Sequence, residues 1–501
     1  MSQDPRPLAV PMSDGVSIAA DHYPVAGGEA APAVLAFVPY RKESAGVRLF
    51  ADVITGAGFH FLVADVRGFG GSDAPYEGLL SDREIQDGVE TIAWVAGQPF
   101  CDGQLAMAGG SYWGANQLLI AARQPPALRC IAPFVGFVDT YRDMTHRGGI
   151  PSHALWGAMT YLKSQHPATA RRGLEQWYLD LMLDPLDNDG HRARSPESVL
   201  GRVTVPTLCL GGWHDYFLRG TVRTYLGVRG PKRLVVGPWG HGGIGPDHQR
   251  ELVGWLGWWL AGRGADPTVG DARVQLYDTG ADRWRSFEDW PAAASRRWTS
   301  WHPQPDGSLP RLASSQPTPV RVVTHLDMVP PAPNPKPQYV PDPTEAGMGS
   351  WGEDAVFVSE PVDRAVTVEG PLGLMAVVRA GECADLDIHA RVSVRPAGSD
   401  HAVQLTEGRL RASHRAIDTA RSTLTPDGSP VVPWHRHDAE DLLAAWRPVE
   451  LAVEMNPVCH QLSPGDRLVV GITLVRADEG AGVVPASLEA GTRLLVPFAP
   501  E

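Results

Sequence analysis

The sequence predicts an α/β fold in its first half, a doubly wound and mostly parallel sheet, followed by an all-β domain in its second half. Up to about residue 268, short and nearly continuous apolar runs alternate with helical patterns, as expected of parallel strands that are buried on both faces. Beyond this point, apolar residues alternate with polar ones, which is typical of antiparallel sheets. With 501 residues, of which 43% are hydrophobic, the chain can fill two cores.

The elements of the first half follow one another as in a doubly wound sheet. Residues 8–23 predict a leading hairpin with a tight turn. The clearest helix begins after Ser81, because Ser81 and Glu84 have the spacing of a capping box. Another helix follows His241 and ends before Gly262. The candidate buried strands cover residues 32–38, 59–66, 104–108, 128–135, 206–211 and 233–237.

One connection, between the strands 128–135 and 206–211, is too long for a loop. Its helical patterns predict a cap over the carboxyl edge of the sheet, where ligands of α/β proteins bind.

The second half of the chain carries clear alternation of apolar and polar residues at 386–394, 449–455 and 468–474. This alternation predicts an antiparallel jelly roll. A Pro-rich stretch over 302–344 obscures the position at which the jelly roll begins. The predicted organisation is an α/β domain in two parts (1–138 and 204–268), a helical cap (139–203) and a β-sandwich jelly-roll domain (269–501).

The composition argues against several classes of protein. A net charge of -13 without a basic block disfavours nucleic-acid binding. The chain start lacks signal-peptide features and no run of about 18 apolar residues occurs, so we expect a cytoplasmic protein that does not bind membranes. Neither a metal nor an organic cofactor is expected, and a homo-oligomeric state is left open. We interpret the five scattered cysteines as buried hydrophobic residues, at positions 101, 130, 209, 383 and 459.

The segment Gly109–Gly114 is the most informative stretch of the chain. It lies where the apolar strand 104–108 must turn sharply into a helix. Small residues on both sides of Ser111 let the backbone fold tightly enough to present the serine at the end of the strand. This is the pattern of a nucleophile elbow, although a plain tight turn produces the same string.

A base and its partner follow at the ends of two later strands. A serine hydroxyl is a poor nucleophile unless a base lies within hydrogen-bond reach, and His241 follows the last buried strand in a Gly-rich loop. Asp215 follows the preceding strand and would orient the imidazole. The chain order Ser, Asp, His is that of α/β-hydrolases. His214 is an alternative base, but in an extended segment its side chain points away from that of Asp215.

Acyl transfer also requires donors for the oxyanion. The backbone N–H of Tyr112, the residue after the nucleophile, should supply one of them. The second usually comes from the loop after the first long parallel strand, where Pro39 has no N–H. The hydroxyl of Tyr40 is therefore the candidate for the second donor. The alternative is that Tyr40 only packs at the strand end.

Several motifs together resemble the CocE/NonD hydrolases, a group that includes cocaine esterases, α-amino acid ester hydrolases and X-Pro dipeptidyl-peptidases. The resemblance covers nearly the whole chain. In the second half it is carried by residues 407–415 and 464–468. In the first half it is carried by Asp14-Gly15-Val16, Pro39-Tyr40, Asp65-Val66-Arg67-Gly68, Gly109-x-Ser111-Tyr112-x-Gly114, Gly212-Trp213-x-Asp215 and Gly237-Pro238-Trp239-x-His241.

The resemblance implies the same catalytic residues that the spacing indicates, and a substrate pocket between cap and sheet. Phe217, Trp156 and Trp113 are the candidate aromatic contacts of the substrate, with core packing as the alternative for Trp113. Some relatives hold a substrate ammonium in an acidic cluster, for which Asp139, Asp143 and Asp180 are available here.

The sequence thus predicts a serine esterase or acylase that acts on a small-molecule ester or amide through an acyl-enzyme. One alternative is an acyltransferase or biosynthetic tailoring enzyme, in which an alcohol or amine replaces water. Another is a binding module whose triad is inactive.

Overall fold

The computed structural model describes residues 4–27, 29–72, 78–152, 181, 183–241, 245–270, 273–323, 328–329, 350–351 and 355–500. Within these ranges the α-helices are α1 (Ala45–Gly56), α2 (Asp82–Ala96), α3 (Tyr112–Ala121), α4 (Asp189–Ala193), α5 (Leu218–Gly227) and α6 (Pro246–Ala261). A π-helical turn covers Thr140–Thr145, and 3₁₀ turns cover Pro196–Arg202, Ala293–Ser295 and Ala412–His414. None of the helices in these ranges is long and apolar enough to cross a membrane.

A sheet of ten strands, counted over the described residues, organises the first half of the chain. The strands up to the end of this sheet are β1 (Arg6–Pro11), β2 (Ser17–Tyr23), β3 (Ala31–Val38), β4 (His60–Asp65), β5 (Cys101–Gly110), β6 (Leu128–Phe134), β7 (His146–Arg147), β8 (Ile150–Pro151), β9 (Thr207–Gly212), β10 (Lys232–Gly237), β11 (Val274–Asp278) and β12 (Arg283–Phe287). The order across the sheet is β1-β2-β4-β3-β5-β6-β9-β10-β11-β12. The strands from β4 to β11 in this order run parallel, with antiparallel strands at both edges.

The α/β prediction for the first half is confirmed. All six predicted buried strands are present, as β3, β4, β5, β6, β9 and β10. Every residue of β4 and β9 is buried, which explains why these strands read as continuous apolar runs. Helices α1 and α6 cover one face of the sheet, and α2 and α3 cover the other. The carboxyl ends of the parallel strands therefore meet at one edge between two layers of helices.

A large part of the predicted cap lies outside the described residues, because positions 153–180 and 182 belong to it. Trp156 lies among them. The described part of the segment 139–203 consists of the π-helical turn, the β7-β8 hairpin, α4 and one 3₁₀ turn. This segment connects β6 to β9. The helical cap and the domain boundaries stay predictions.

Two strands beyond the predicted boundary at residue 269 extend the first sheet. β11 pairs in parallel with β10, and β12 pairs antiparallel with β11. Buried and partly exposed residues alternate along Val274–Asp278, since a strand near the edge of a sheet can bury one face only. This alternation is the same pattern that marks strands of an antiparallel domain. The sequence pattern alone could not assign these strands to the first sheet.

The second half forms a twelve-stranded sheet, counted over the described residues, around its own hydrophobic core. The strands of this half are β13 (Arg297–Trp301), β14 (Thr318–Val323), β15 (Met328–Val329), β16 (Ser350–Trp351), β17 (Ala355–Val358), β18 (Val366–Gly370), β19 (Gly373–Ala380), β20 (Leu386–Arg395), β21 (Val403–Arg411), β22 (Thr423–Leu424), β23 (Pro430–Val432), β24 (Val449–Glu454), β25 (Val458–Leu462), β26 (Arg467–Arg476), β27 (Val484–Leu488) and β28 (Arg493–Phe498). The main path is β21-β20-β26-β14-β27-β19-β28-β18-β25, and β13, β17 and β24 branch from it. The result is a nearly closed, barrel-like sheet, which confirms the predicted all-β second half.

The alternation predicted for β20 and β26 is right in position, but its polar face is not exposed. Asp387 and His389 on β20 are buried. The carboxylate of Asp387 accepts hydrogen bonds at 2.8 and 3.0 Å from the guanidinium of Arg411 on β21. β20 lies inside the barrel-like sheet between β21 and β26, and polar groups on such a buried face are paired with one another rather than solvated.

The segment after β6 is held against the second domain by Arg142. Its guanidinium donates a hydrogen bond to the carbonyl oxygen of His435 at 2.8 Å and stacks 4.4 Å above the ring of Trp434. Asp139 and Asp187 neutralise it at 3.0 and 2.8 Å. Because a buried cation is tolerated only with such partners, this arrangement fixes the π-helical turn to the β domain.

Candidate active site

Ser111 occupies the sharp turn between β5 and α3. Its backbone has φ 59° and ψ -125°, a strained conformation that is typical of a nucleophile elbow. Its N–H donates to the carbonyl oxygen of Phe134 on β6 at 3.0 Å, and the N–H groups of Gly114 and Ala115 donate to its own carbonyl oxygen. The side chain of Ser111 is partly exposed, whereas the next residue is buried. The elbow predicted from the sequence is therefore present.

The glycines around Ser111 are required by close packing. A Cβ atom on Gly110 would lie 2.3 Å from the ring of Phe134 on the neighbouring strand. One on Gly114 would lie 3.1 Å from the carbonyl oxygens of Gly109 and Phe134. Strand and helix can approach closely enough to form the elbow only because these side chains are absent.

Asp215 and His241 follow the neighbouring parallel strands β9 and β10. The last residues of these strands, Gly212 and Gly237, are paired in register. Nδ1 of His241 lies 2.8 Å from Oδ1 of Asp215. The carboxylate is fully buried and the imidazole is 14% exposed. The structure thus brings these two predicted residues together, and it pairs Asp215 with His241 rather than with its sequence neighbour His214.

Aromatic side chains fix the plane of the imidazole. The ring of Tyr216 stacks on that of His241 with centroids 4.2 Å apart, and the ring of Phe217 meets it edge-on at 5.3 Å. The backbone N–H of Phe217 also donates to Oδ1 of Asp215 at 3.1 Å. Since Nδ1 of His241 faces the carboxylate, Nε2 is the nitrogen on the opposite side of the ring. No motif in the sequence points to Tyr216.

The hydroxyl of Tyr40 interacts with the side chain of Ser111 and with the backbone N–H of Tyr112, and both interactions act to lower its pKa. Burial raises the pKa of Tyr40 above its ordinary value, so the phenol keeps its proton. The ring of Tyr40 meets that of Tyr112 edge-on, with centroids 6.4 Å apart. The structure therefore gathers the predicted nucleophile and both predicted oxyanion donors.

A buried carboxylate, Asp65, holds the loop that carries Tyr40. The backbone N–H groups of Lys42 and Gly71 donate to its two oxygens at 2.8 and 2.9 Å. Burial raises the pKa of Asp65 to about 6. The sequence assigned this aspartate only to a family motif. Its place at the carboxyl end of a fully buried strand is the signal for a positioning role.

The predicted aromatic substrate contacts have different surroundings. Phe217 lies beside His241, as described above. Trp113 packs against Phe50 and Phe134, with ring centroids 5.7 and 6.4 Å apart, and it belongs to the periphery of a core cluster. This favours the packing interpretation of Trp113. Trp156 lies outside the described residues.

The acidic residues suggested for a substrate ammonium are already neutralised. Asp139 pairs with Arg142 at 3.0 Å, and Asp143 pairs with Arg219 at 2.7 Å. Both carboxylates are buried. Asp180 lies outside the described residues. The two described aspartates therefore belong to the structural core of the domain junction and not to a free cation site.

Comparison with known proteins gives matches along most of the chain. The family model described as X-Pro dipeptidyl-peptidase (S15 family) matches residues 14–243. The model described as X-Pro dipeptidyl-peptidase C-terminal non-catalytic domain matches residues 268–473. The second match agrees with the location of all the candidate catalytic residues in the first half.

Two relatives that are named as esterases are similar to this chain over long stretches. A Mycobacterium bovis protein assigned as a serine esterase is 24% identical over an alignment that covers 92% of this chain and 89% of the relative. The cocaine esterase of a Rhodococcus species is 26% identical over an alignment that covers 57% of this chain and 59% of that protein.

A solved CocE/NonD family hydrolase from Staphylococcus aureus superposes with a TM-score of 0.81 at 18% identity, covering 99% of this chain and 93% of that one. At this identity the superposition shows a shared fold. The two family models, which match successive parts of the chain, and the serine esterase relatives support the family and a hydrolase activity as well as the fold. The chain belongs to the X-Pro dipeptidyl-peptidase S15 family and is a hydrolase of the CocE/NonD type.

Proposed function

We propose that this hydrolase cleaves a small carboxylic ester, or an amide, through an acyl-enzyme formed on Ser111, with His241 as base and Asp215 as its partner. The observation that carries the proposal is the 2.8 Å contact between His241 and Asp215 at the carboxyl edge that also bears the elbow. The placement of Tyr40 and Tyr216 supports it. Tyr40 contacts Ser111 and Tyr216 stacks on His241, and both tyrosines pack against the same hydrophobic cluster.

The chemistry follows from the protons that these groups carry. Oγ of Ser111 attacks the substrate carbonyl while Nε2 of His241 takes the serine proton. The imidazolium that forms is stabilised by the buried carboxylate of Asp215. His241 then returns the proton to the leaving group, and a water molecule activated in the same way releases the acid.

The developing oxyanion needs two donors. The backbone N–H of Tyr112 and the hydroxyl of Tyr40 both donate to this oxygen. Because burial raises the pKa of Tyr40, the phenol keeps its proton and can donate it to the oxyanion. The arrangement is therefore set up for an anion that forms only in the transition state.

The surroundings of the site favour a neutral, apolar acyl group. Phe217 and Tyr216 place aromatic faces beside the base. Asp139 and Asp143 are committed to arginines, so they do not offer the negative charge that would recognise an aminoacyl substrate. Among the relatives, one is a cocaine esterase, and ester cleavage is accordingly the first activity to test.

The first experiment compares Ser111→Ala with the wild type on p-nitrophenyl esters of increasing acyl size and on aminoacyl-anilides. The variant should lose kcat by about 10⁴-fold or more with its thermal unfolding unchanged. Wild-type Ser111 should also be labelled by a fluorophosphonate. Retention of near-native turnover by Ser111→Ala would overturn the mechanism.

A matched pair of histidine variants separates the base from its neighbour. His241→Gln should lose activity by a factor similar to that of Ser111→Ala, whereas His214→Gln should keep most of it. The reverse result would transfer the role to His214. Product analysis with added alcohols and amines distinguishes hydrolysis from acyl transfer, and a folded wild type that neither turns over esters nor takes the label would be a binding module.

A further inference from the structure

A buried carboxyl group, Glu84, lies behind the nucleophile elbow. Glu84 is the third residue of α2 and is 2% exposed. Both of its carboxyl oxygens lie 2.7 Å from the hydroxyl of Tyr112, the residue that follows Ser111. The N–H of Leu80 donates both to Oε2 of Glu84 and to the Tyr112 hydroxyl, at 3.0 and 2.9 Å.

The backbone around this contact is held in an unfavourable conformation. Leu80 has a φ of 55°, which costs a non-glycine residue conformational energy. It is kept there by its two hydrogen bonds to the pair of side chains. In an ordinary capping box Glu84 would accept the N–H of Ser81, but here only the serine half is formed, with the Glu84 N–H donating to the Ser81 hydroxyl at 3.3 Å. The carboxyl group is thus turned toward α3.

We propose that Glu84 is a positioning residue for the oxyanion donors: it anchors the Tyr112 side chain so that the N–H of Tyr112 stays directed at the reacting carbonyl oxygen. The proposal rests on the proposed function of Ser111. Tyr112 is the first residue of α3 and its ring is buried. A fixed ring restricts rotation of the peptide plane that follows Ser111. The edge contact between Tyr112 and Tyr40 extends the same restraint to the second donor.

The charge of Glu84 should then control the rate. Burial raises the pKa of this carboxyl to about 8, and the nearby negative charge of Asp87 contributes in the same direction. The hydroxyl of Tyr112, the N–H of Leu80 and the positive charge of Arg194 oppose the shift. At pH 7 Glu84 is therefore mainly neutral. When it ionises, it places a negative charge behind the oxyanion donors, where it opposes the charge that develops on the substrate oxygen.

The test measures kcat for the best ester between pH 6 and 10 in the wild type, Glu84→Gln and Glu90→Gln. The wild-type kcat should fall as the pH rises through about 8, the pH at which Glu84 loses its proton. Glu84→Gln cannot ionise but can still bond the phenol, so its profile should be flat up to pH 10. Glu90 lies on the same helix, where it bonds Ser13 and Arg83. Glu90→Gln should keep the wild-type profile.

A second variant, Glu84→Leu, removes the anchor altogether. It should lower kcat at pH 7 by about tenfold or more while KM stays nearly constant, since one donor becomes misaligned only in the transition state. The Gln variant should restore most of this loss. An alkaline decline that persists in Glu84→Gln, or a wild-type profile without one, would overturn the proposal.

Labelling of Ser111 by the fluorophosphonate separates the two possible failures. If Ser111 is labelled and Ser111→Ala is inactive, but the alkaline decline persists in Glu84→Gln, only the role of Glu84 is wrong. If Ser111 is not labelled and Ser111→Ala remains active, the proposed function itself fails.

Discussion

Replacement of Asp215 by asparagine tests the proposed mechanism most directly, because the structure fixes how the new side chain must sit. Oδ1 of Asp215 accepts both the His241 ring N–H and the Phe217 N–H, at 2.8 and 3.1 Å. Oδ2 is buried without a hydrogen-bond partner among the described residues. An asparagine therefore keeps its oxygen at the Oδ1 position, since a flipped amide would set its NH₂ group against both donors.

This orientation separates the effect of charge from that of geometry. With the oxygen in place, the imidazole keeps its orientation and its tautomer, and the substitution removes only the negative charge. Two unit charges about 4 Å apart interact by about 4 kcal/mol at an effective dielectric constant of 20, which corresponds to a loss of about 10³-fold in kcat. In bulk water the same pair would contribute about 1 kcal/mol, or roughly fivefold.

The assay is single-turnover acylation by a p-nitrophenyl ester at pH 7, with Asp215→Ala as the comparison. Asp215→Asn should lose about 10³-fold. Asp215→Ala should lose more, because it also leaves the N–H groups of Phe217 and His241 without an acceptor. A loss below tenfold in the Asn variant would refute the assignment of Asp215 as the partner of the base. Equal losses in both variants would refute the inferred amide orientation.

Three further predictions use other contacts of the site. Tyr40→Phe should lower kcat by about 10²- to 10³-fold with little change in KM, measured by steady-state kinetics, because it removes one oxyanion donor. Gly110→Ala should destabilise the protein by about 1–3 kcal/mol or more in denaturant unfolding, since its methyl group would meet Phe134 at 2.3 Å; Gly254→Ala, with nothing within 4 Å, is the matched control. Finally, the pKa of Glu84 rises from 4.5 to about 8 on folding, so the folded protein holds a proton that the unfolded chain has lost, and stability falls as the pH rises from about 5 to 8. Glu84→Gln should lack this contribution, and the stability difference between wild type and variant should shift in favour of the variant between pH 5 and 8.

The sequence was sufficient for the parts of the fold that depend on local pattern. The buried strands and the elbow follow from apolar periodicity and from glycines that permit close approach, as at Gly110 and Gly114. The assignment of β11 and β12 was out of reach, because an edge strand of an α/β sheet and a strand of a β domain alternate alike. Burial of the polar face of β20 was also missed, since Arg411, which pairs with Asp387, lies on another strand.

In the candidate site, too, residues marked by a local sequence pattern could be predicted, and residues defined by contacts between distant segments could not. Ser111, Asp215 and His241 could be proposed because each follows a recognisable strand or turn. Their neighbours could not, because a stacking ring such as Tyr216 or a buried acid such as Asp65 is defined by contacts between distant segments. Glu84 was assigned to the cap of a helix on good local grounds. Its carboxyl group instead bonds a side chain 28 positions further along the chain.

A common rule connects Asp65 and Glu84 with Asp215, which the sequence does predict. A buried carboxyl group on another segment holds each proposed catalytic element in place: Asp65 holds the Tyr40 loop, Glu84 holds Tyr112, and Asp215 holds His241. Burying a carboxyl group is unfavourable unless its oxygens are satisfied. Each of the three accepts one backbone N–H outside the reacting groups, from Gly71, Leu80 and Phe217 respectively, and so its second bond is free to orient the catalytic element. Removal of any one carboxyl group should therefore misalign a single catalytic element and also leave one backbone N–H without its acceptor, so catalysis and stability should both fall.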